Sequence, residues 1–389
     1  MRTALVHDWL NGMRGGEKVL EAFAEMFPDA PIHTLLHVPG STSPTIERHE
    51  IRTSALQRMP GAATRYRHYL PFFPRFVEGM RIAPTDLVLS DSSCVAKSVR
   101  PPAGAKHACY ILSPMRYVYD RYDDYFAKGR ASLATRAAMR LVRARLRRWD
   151  LRTADRVDDF AAISTFVQER VRNLYGREAR VIAPPVDTER FANTAGRPGD
   201  YYLMVTALVP YKNADVAVEA FRTMPRRRLV IAGSGPWLQK LRAAAPQNVE
   251  LLGWVEDPRV DELLAGCRAF LMPNVEDFGI APVEAMAAGR PVVALGEGGI
   301  LDTVRDLDRW SANQLPGKLG PTGMFYRDAG PAGLAAAIER FERVAAAFHP
   351  DDCQAQARKF SKARFAANIA GWLAEVLAQP GHAEVRRAA

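Results

Sequence analysis

The sequence predicts an α/β protein built as two doubly wound parallel-sheet domains. Three observations carry that expectation. Apolar runs of four to six residues recur, each followed by a Gly-, Pro- or Ser-marked loop and then by a stretch of helical spacing, which is the alternating β/α signature. The pattern runs through twice. Between the two sets lies VIAPPVDTERF, where Pro184 and Pro185 cannot pair inside a sheet and turn the preceding residue away from helix. A length of 389 residues fits, because one domain takes roughly 150.

Taken in order, the first set begins with a strand over Thr3–Val6 and a helix over Glu17–Met26, which follows the Gly15-Gly16 pair. Strands over Leu87–Ser90 and Ala108–Leu112 come next, then a basic helix over Arg136–Ala154 and a strand over Asp159–Ile163. In the second set Tyr202–Thr206, Arg228–Ala232, Val249–Leu252, Ala269–Met272 and Val292–Leu295 read as strands. Helices over Ala214–Arg222, Trp237–Ala244, Asp257–Ala265 and Val283–Ala288 separate them. The expected domains are 1–187 and 188–354, with a helix over 355–378 packing back on the first domain before a frayed tail. Ligands of doubly wound sheets bind at the carboxyl ends of the strands, so the expected active site is the cleft between the domains.

Composition narrows the function classes. With 48% hydrophobic and 25% charged residues the chain has ordinary globular make-up, which excludes a mainly disordered or fibrous protein. No apolar stretch approaches the roughly 18–20 residues that span a bilayer, and MRTALVHDWL lacks the apolar core of a signal peptide, so a cytoplasmic protein is expected. Cys94, Cys109, Cys267 and Cys353 stand singly, without His at metal-ligand spacing, so neither a disulfide frame nor a zinc site is expected. Lys and Arg number 53 against 43 Asp and Glu, an excess that favours an anionic partner: nucleic acid, acidic lipid or a phosphorylated substrate.

The strongest segment is AFLMPNVEDFGIAPVEAMAAGRPVVALGEGG. It reads as a strand ending near Pro273, a loop with Glu276, Phe278 and Gly279, a helix opened by Pro282 and closed by Gly289, and a second strand. Glu276 in the loop and Glu284 in the first helical turn can both reach one ligand lying across the helix start. The amides from Gly279 through Ile280 and Ala281 to Val283 point the same way, ready for hydroxyl or phosphate oxygens. A carboxylate accepts from vicinal hydroxyls, so sugar and ribose are plausible partners. The bland alternative makes Glu284 a charge favoured by the helix dipole and Glu276 a solvated loop residue.

This segment resembles the E-x7-E region of the retaining, metal-independent glycosyltransferases of family four, which have the GT-B fold of two facing Rossmann-like domains. VTALVPYKNADVAVEAF is similar to the stretch opening that family's second domain, where the Lys, here Lys212, meets the donor diphosphate. RLVIAGSGPWLQKL resembles its next Gly-rich turn, with Gly233 and Gly235, and HDWLNGMRGGEKVLEAF places Gly15 and Gly16 before a helix as a phosphate or acceptor loop. SPMRYVYD and IAPPVD resemble the bacterial surface-polysaccharide branch that often uses GDP-mannose. The resemblance implies transfer of a hexose, mannose from GDP-mannose, to a lipid-linked oligosaccharide at the inner face of the cytoplasmic membrane, with no metal or other cofactor. Lys212 would hold diphosphate, Glu284 ribose and Glu276 the sugar hydroxyls.

Two departures stand out. Ala207 replaces an Arg of the common family pattern, and Leu112 occupies the place of a His that faces the donor sugar, so a polar contact is lost. His7 beside Asp8 could touch acceptor or donor, or be a partly buried His bonded to its Asp neighbour; Arg116 could face phosphate or form a structural ion pair. Asp306-Leu-Asp308 matches a metal-holding DxD and is discounted as a charged helix end. The basic, aromatic-bearing stretches 65–81 and 136–152 suit an anionic membrane surface or, alternatively, a solvated helix face over a packed core; no nucleic-acid motif accompanies them. An epimerase or phosphorylase on the same fold, and a non-catalytic nucleotide-sugar-binding partner protein, are the rival readings.

Overall fold

Strands buried on both faces read as near-continuous apolar runs, and the centres of this chain's sheets hold such runs. Every residue of Thr3–His7, Ala269–Met272 and Val292–Leu295 is buried. A computed structural model describes residues 1–119, 133–191, 198–310 and 319–379. They fall in two units, Met1–Pro185 with the stretch from Phe365, and Val186–Arg364.

The first unit holds a parallel sheet of seven strands: β1 (Thr3–His7), β2 (Ile32–Thr34), β3 (Ile51–Thr53), β4 (Leu87–Ser92), β5 (Lys106–Ile111), β6 (Asp159–Ala162) and β7 (Arg180–Val181), in the order β3-β2-β1-β4-β5-β6-β7. The second holds six: β8 (Tyr201–Val205), β9 (Arg228–Ala232), β10 (Val249–Gly253), β11 (Ala269–Met272), β12 (Val292–Leu295) and β13 (Gly323–Tyr326), in the order β10-β9-β8-β11-β12-β13. Both sheets are doubly wound. Strand order reverses between β1 and β4 and between β8 and β11, and ligands of such sheets bind outside the carboxyl ends of the strands at that reversal.

The units divide at Pro185–Val186 and Arg364–Phe365 rather than at 187/188 and 354/355. The expected helix over 355–378 is broken: a helix Pro350–Ala357 and a tight turn Arg358–Phe360 end at Ser361, whose ψ of 155° is extended, before a second helix Lys362–Ala378. From Phe365 onward the chain packs on the first unit. The Phe365 ring lies 5.6 Å from Tyr110 and from Phe23, and Trp372 Nε1 donates to Asp159 at 2.8 Å.

Four strands lie outside the sequence reading for a physical reason. β2 carries His33, β3 carries exposed and half-buried residues around Arg52, β7 has two exposed residues, and β13 begins on Gly323, so none is an apolar run. The helices Thr165–Tyr175 and Pro331–Val344 were also unread, although Ser164 caps the first through Val167 N and Gly176 ends it at φ 61°.

Candidate active site

At the carboxyl end of β8 the chain turns through Pro210–Lys212 into Asn213, a non-glycine residue at φ 53°. Asn213 Nδ2 donates to Pro273 O at 3.0 Å, which ties this loop to the end of β11. The loop after β9 is pressed against the same segment: Leu208 N donates to Ser234 O at 2.9 Å. A Cβ on Gly233 would stand 1.8 Å from Thr206 O and one on Gly235 2.4 Å from Leu208 O. Both glycines are thus required by close backbone crossing, and Gly233 also by its φ of 144°.

Across that loop pair, Lys212 Nζ donates to Glu276 Oε1, and Asn274 Nδ2 donates to the same oxygen at 2.7 Å. Lys212 and Glu276 each expose 20% of the side chain, so the pair is shielded yet reachable from solvent. Glu276 is therefore not the solvated loop residue of the bland alternative; it and Lys212 are partners.

Gly279, at φ 93°, leads into the helix Ile280–Ala287. The first turn of a helix leaves its amides without an intrahelical acceptor, and here Ile280, Ala281 and Val283 carry N–H groups while Pro282 has none. Gly279, Ile280 and Ala281 are part-exposed, so the helix start can be approached. Phe278, expected at the donor, is buried and packs edge-on to Phe360 with ring centroids 5.7 Å apart. Because the helix begins at Ile280 rather than Val283, Glu284 opens its second turn, not its first. It is 7% exposed and faces Arg190, whose Nη2 lies 3.4 Å from Glu284 Oε1.

In the first unit, His7 ends β1 opposite Asp91 of β4, and His7 Nδ1 lies 3.1 Å from Asp91 Oδ2 rather than on its neighbour Asp8. Glu17 Oε1 is 4.0 Å from His7 Nε2. Burial alone would lower the imidazole pKa, but the charge and hydrogen bond of Asp91, with Glu17 and Asp8 behind, raise it to about 9. Burial pushes Asp91 up to about 6 against the pull of His7. Asp8 accepts through its two oxygens from the amides of Ser93, Val95 and Ala96 at 2.7–2.8 Å and from Ser93 Oγ at 2.9 Å, so it shapes the loop after β4.

Gly15 and Gly16 are the first residues of the helix Gly15–Met26, not the loop before it. A Cβ on Gly16 would meet Leu112 Cδ1 at 3.0 Å and His7 Cε1 at 3.4 Å, so these three residues form one contact at the ends of β1 and β5. Leu112 is half-buried. Arg116 Nε and Arg170 Nη1 both donate to Ser113 Oγ at 3.2 Å.

Asp306 and Asp308 diverge, the first accepting from Phe325 N at 3.0 Å and the second pairing with Arg340, in a turn rather than a helix end. Among the described residues no group of three His, Cys, Asp or Glu stands together to hold a metal ion. In the stretch 65–81, Tyr66 and Phe73 are buried around Trp9, while Phe72 is 57% exposed beside exposed Arg65, Arg67, Arg75 and Arg81. In the second stretch the side chain of Arg136 lies outside the described residues, and Asp150 is buried, paired with Lys97 at 2.9 Å and bonded by Tyr119 and Tyr175. Sequence reasoning missed Lys97, Asn274 and Arg190. The last sits in VDTERF, where the prolines had signalled only a linker.

Residues 185–360 match the family model for glycosyl transferases group 1. Over 184 residues the chain is 32% identical to a GDP-mannose-dependent alpha-(1-6)-phosphatidylinositol monomannoside mannosyltransferase of Mycobacterium tuberculosis, covering 40% of this chain and 48% of the relative. The chain spans about half the length of the curated relatives it matches. The crystal structure of Anabaena HepE in complex with UDP and glucose superposes with a TM-score of 0.68 at 17% identity, over 96% of this chain and 99% of that one. Sucrose-phosphate synthase of Thermosynechococcus elongatus gives 0.67 at 15% identity, over 97% and 100%. The fold is GT-B: two Rossmann-like α/β units with parallel sheets, as in these structures.

Proposed function

We propose that the chain is a retaining glycosyltransferase that moves a hexose, mannose from GDP-mannose, onto a lipid-linked oligosaccharide. The carrying observation is the Lys212–Glu276 pair, set at the strand-order reversal of the second sheet beside the helix start at Gly279. Support for mannose comes from the relative's dependence on GDP-mannose, and for a nucleotide-sugar in general from the group 1 match.

In this reading the donor diphosphate takes Lys212 from Glu276 and lies against the amides of Ile280 and Ala281. The ammonium and amides offset charge as the bond from the sugar C1 to the diphosphate oxygen breaks. Glu276, released, accepts from sugar hydroxyls, and Glu284 accepts from the ribose. The acceptor hydroxyl bonds to C1 on the face the diphosphate leaves, and its proton goes to the leaving phosphate oxygen. No metal or other cofactor enters this account.

Among the described residues no helix is long and apolar enough to cross a membrane. A lipid-linked acceptor would be met by peripheral binding to an anionic surface at the inner membrane face, and Phe72 with Arg65, Arg67 and Arg75 is the patch suited to it. Leu112, seated on Gly16 and His7, favours a second reading in which the protein binds nucleotide-sugar without turning it over.

The test is thermal stability with GDP, UDP, GDP-mannose and UDP-glucose in the presence of chelator, followed by donor hydrolysis and transfer assays. A ligand that binds the folded state raises the melting temperature. Stabilisation by GDP and GDP-mannose with release of mannose supports the proposal. Binding that requires added divalent metal overturns the Lys-and-helix account, and binding without turnover selects the second reading.

A further inference from the structure

We propose that Arg190 is a positioning residue for Glu284: it neutralises that carboxylate and orients it toward the ribose hydroxyls of a nucleotide. The inference rests on Glu284 being the ribose group, and adds to it a residue that touches no ligand.

A carboxylate as buried as Glu284, 7% exposed, is costly unless a cation and hydrogen bonds compensate it. Arg190 supplies the cation. Its Nη2 lies 2.8 Å from Asp261 Oδ1 on the helix Asp257–Gly266 and 3.4 Å from Glu284 Oε1 on the helix Ile280–Ala287, so one nitrogen stands between carboxylates of two elements. The guanidinium carbon lies 4.6 Å from the centroid of the buried Phe191 ring, which fixes the plane from a third side. Arg190 Nε is buried without a hydrogen-bond partner, so the group is held by these contacts rather than by a full set of donated bonds.

Charge-assisted N–H···O bonds run to about 2.7–2.9 Å. At 3.4 Å the contact of Arg190 with Glu284 is longer, so Arg190 offsets the charge of Glu284 as a neighbouring cation. A carboxylate accepts from several donors at once, so a ligand hydroxyl can donate to one that a cation holds in place. Without the guanidinium, Asp261 and Glu284 would face each other as like charges, and Glu284 would lose the cation that keeps its carboxylate aimed.

The experiment is a binding cycle on the full chain, using GDP and UDP in their ribo and 2′-deoxy forms with wild type, Arg190→Met, Arg190→Lys and Glu284→Gln, each checked for folding by circular dichroism. In the wild type, deleting the 2′-hydroxyl should weaken binding about tenfold, which is about 1.4 kcal/mol. In Arg190→Met and Glu284→Gln that penalty should fall below about threefold, and Arg190→Lys should restore part of it. A structural residue would weaken ribo and deoxy forms alike, so an undiminished penalty in Arg190→Met overturns the inference. If Arg190→Met fails to fold, the Lys variant decides: a penalty smaller than wild type supports the inference and an equal one overturns it. Wild type that binds GDP or UDP but ignores the 2′-hydroxyl removes the ribose role of Glu284 and this inference together. Wild type that binds neither overturns the functional reading itself.

Discussion

Replacing Glu276 by Gln separates charge from shape at the donor end. Glu276 Oε1 accepts from both Lys212 Nζ and Asn274 Nδ2, and a Gln oxygen in the same place can accept both bonds without the charge. The pair is 20% exposed on each side, so its strength lies between an exposed ion pair, about 0.2–1 kcal/mol, and a shielded charged hydrogen bond, about 1.5–3 kcal/mol. We take about 1 kcal/mol. On the proposed reading a free nucleoside diphosphate draws Lys212 away from Glu276, so Glu276→Gln should bind GDP tighter, by roughly fivefold on that figure. Donor turnover should move the opposite way. Loss of the charged acceptor for the sugar hydroxyls should lower kcat/KM by about 10- to 100-fold, corresponding to roughly 1.5–3 kcal/mol. Calorimetry with GDP and initial rates of donor hydrolysis read both effects. Weaker GDP binding in the Gln variant would refute the competition between diphosphate and Glu276, and an unchanged rate would remove Glu276 from the sugar.

Leu112→His should raise transfer or donor hydrolysis at least about tenfold, or about 1.4 kcal/mol of barrier, with little change in nucleotide affinity; an unchanged rate with a donor shown to bind means Leu112 belongs to a differently built site. Gly235→Ala places a Cβ 2.4 Å from Leu208 O, so calorimetry should show a loss of about 3 kcal/mol, or a melting temperature lowered by roughly 6–12 °C; a shift within 1–2 °C, about half a kcal/mol, would mean that the loops separate freely. The pH dependence has two limbs. His7, raised from 6.5 to about 9, contributes stability that is fully present below pH 6.5 and lost as pH rises through 9, so the alkaline fall in melting temperature should flatten in His7→Asn. His107, bonded to Ser90 Oγ and lowered by burial to about 4, acts in the other direction: the unfolded chain takes the proton first, and stability falls as pH drops from 6.5 to 4. Melting curves across the pH range that show no difference between wild type and His7→Asn above pH 7 would contradict the first limb.

The central strands of both sheets were legible because a parallel strand buried on both faces is apolar along most of its length, as at Leu203, Ile231 and Leu271. Edge and short strands were not legible for the converse reason: Arg52 on β3 and Arg180 on β7 need cover on neither face. At the site, the family resemblance indicated Lys212, Glu276 and Glu284, but not who pairs with whom, since pairing is set by register across strands far apart in sequence. Asn213 at φ 53° closing onto Pro273 and Asn274 donating to Glu276 are consequences of β8 lying beside β11. Asp150 shows the same limit in reverse. Among the arginines of its helix it is a single acid with no partner marked in the sequence, whereas it is the buried counter-ion of Lys97 from the loop after β4.

The strand-order reversal carries an ionic pair in each unit, and the two pairs differ in exposure. His7 and Asp91 at the first reversal are 4% and 0% exposed, closed over by Gly16 and Leu112, and each charge is committed to the other. Opening that pair would leave a buried charge uncompensated, which costs about 3–5 kcal/mol. Lys212 and Glu276 at the second reversal are shielded enough to order one another and exposed enough for a diphosphate to take the ammonium while sugar hydroxyls take the carboxylate. Exchange of partners is therefore available to the second pair at low cost and closed to the first. On the proposed reading the half-buried Leu112, rather than His7, is the side chain of that cluster that faces a ligand, so changing it should alter turnover while His7 should register in stability.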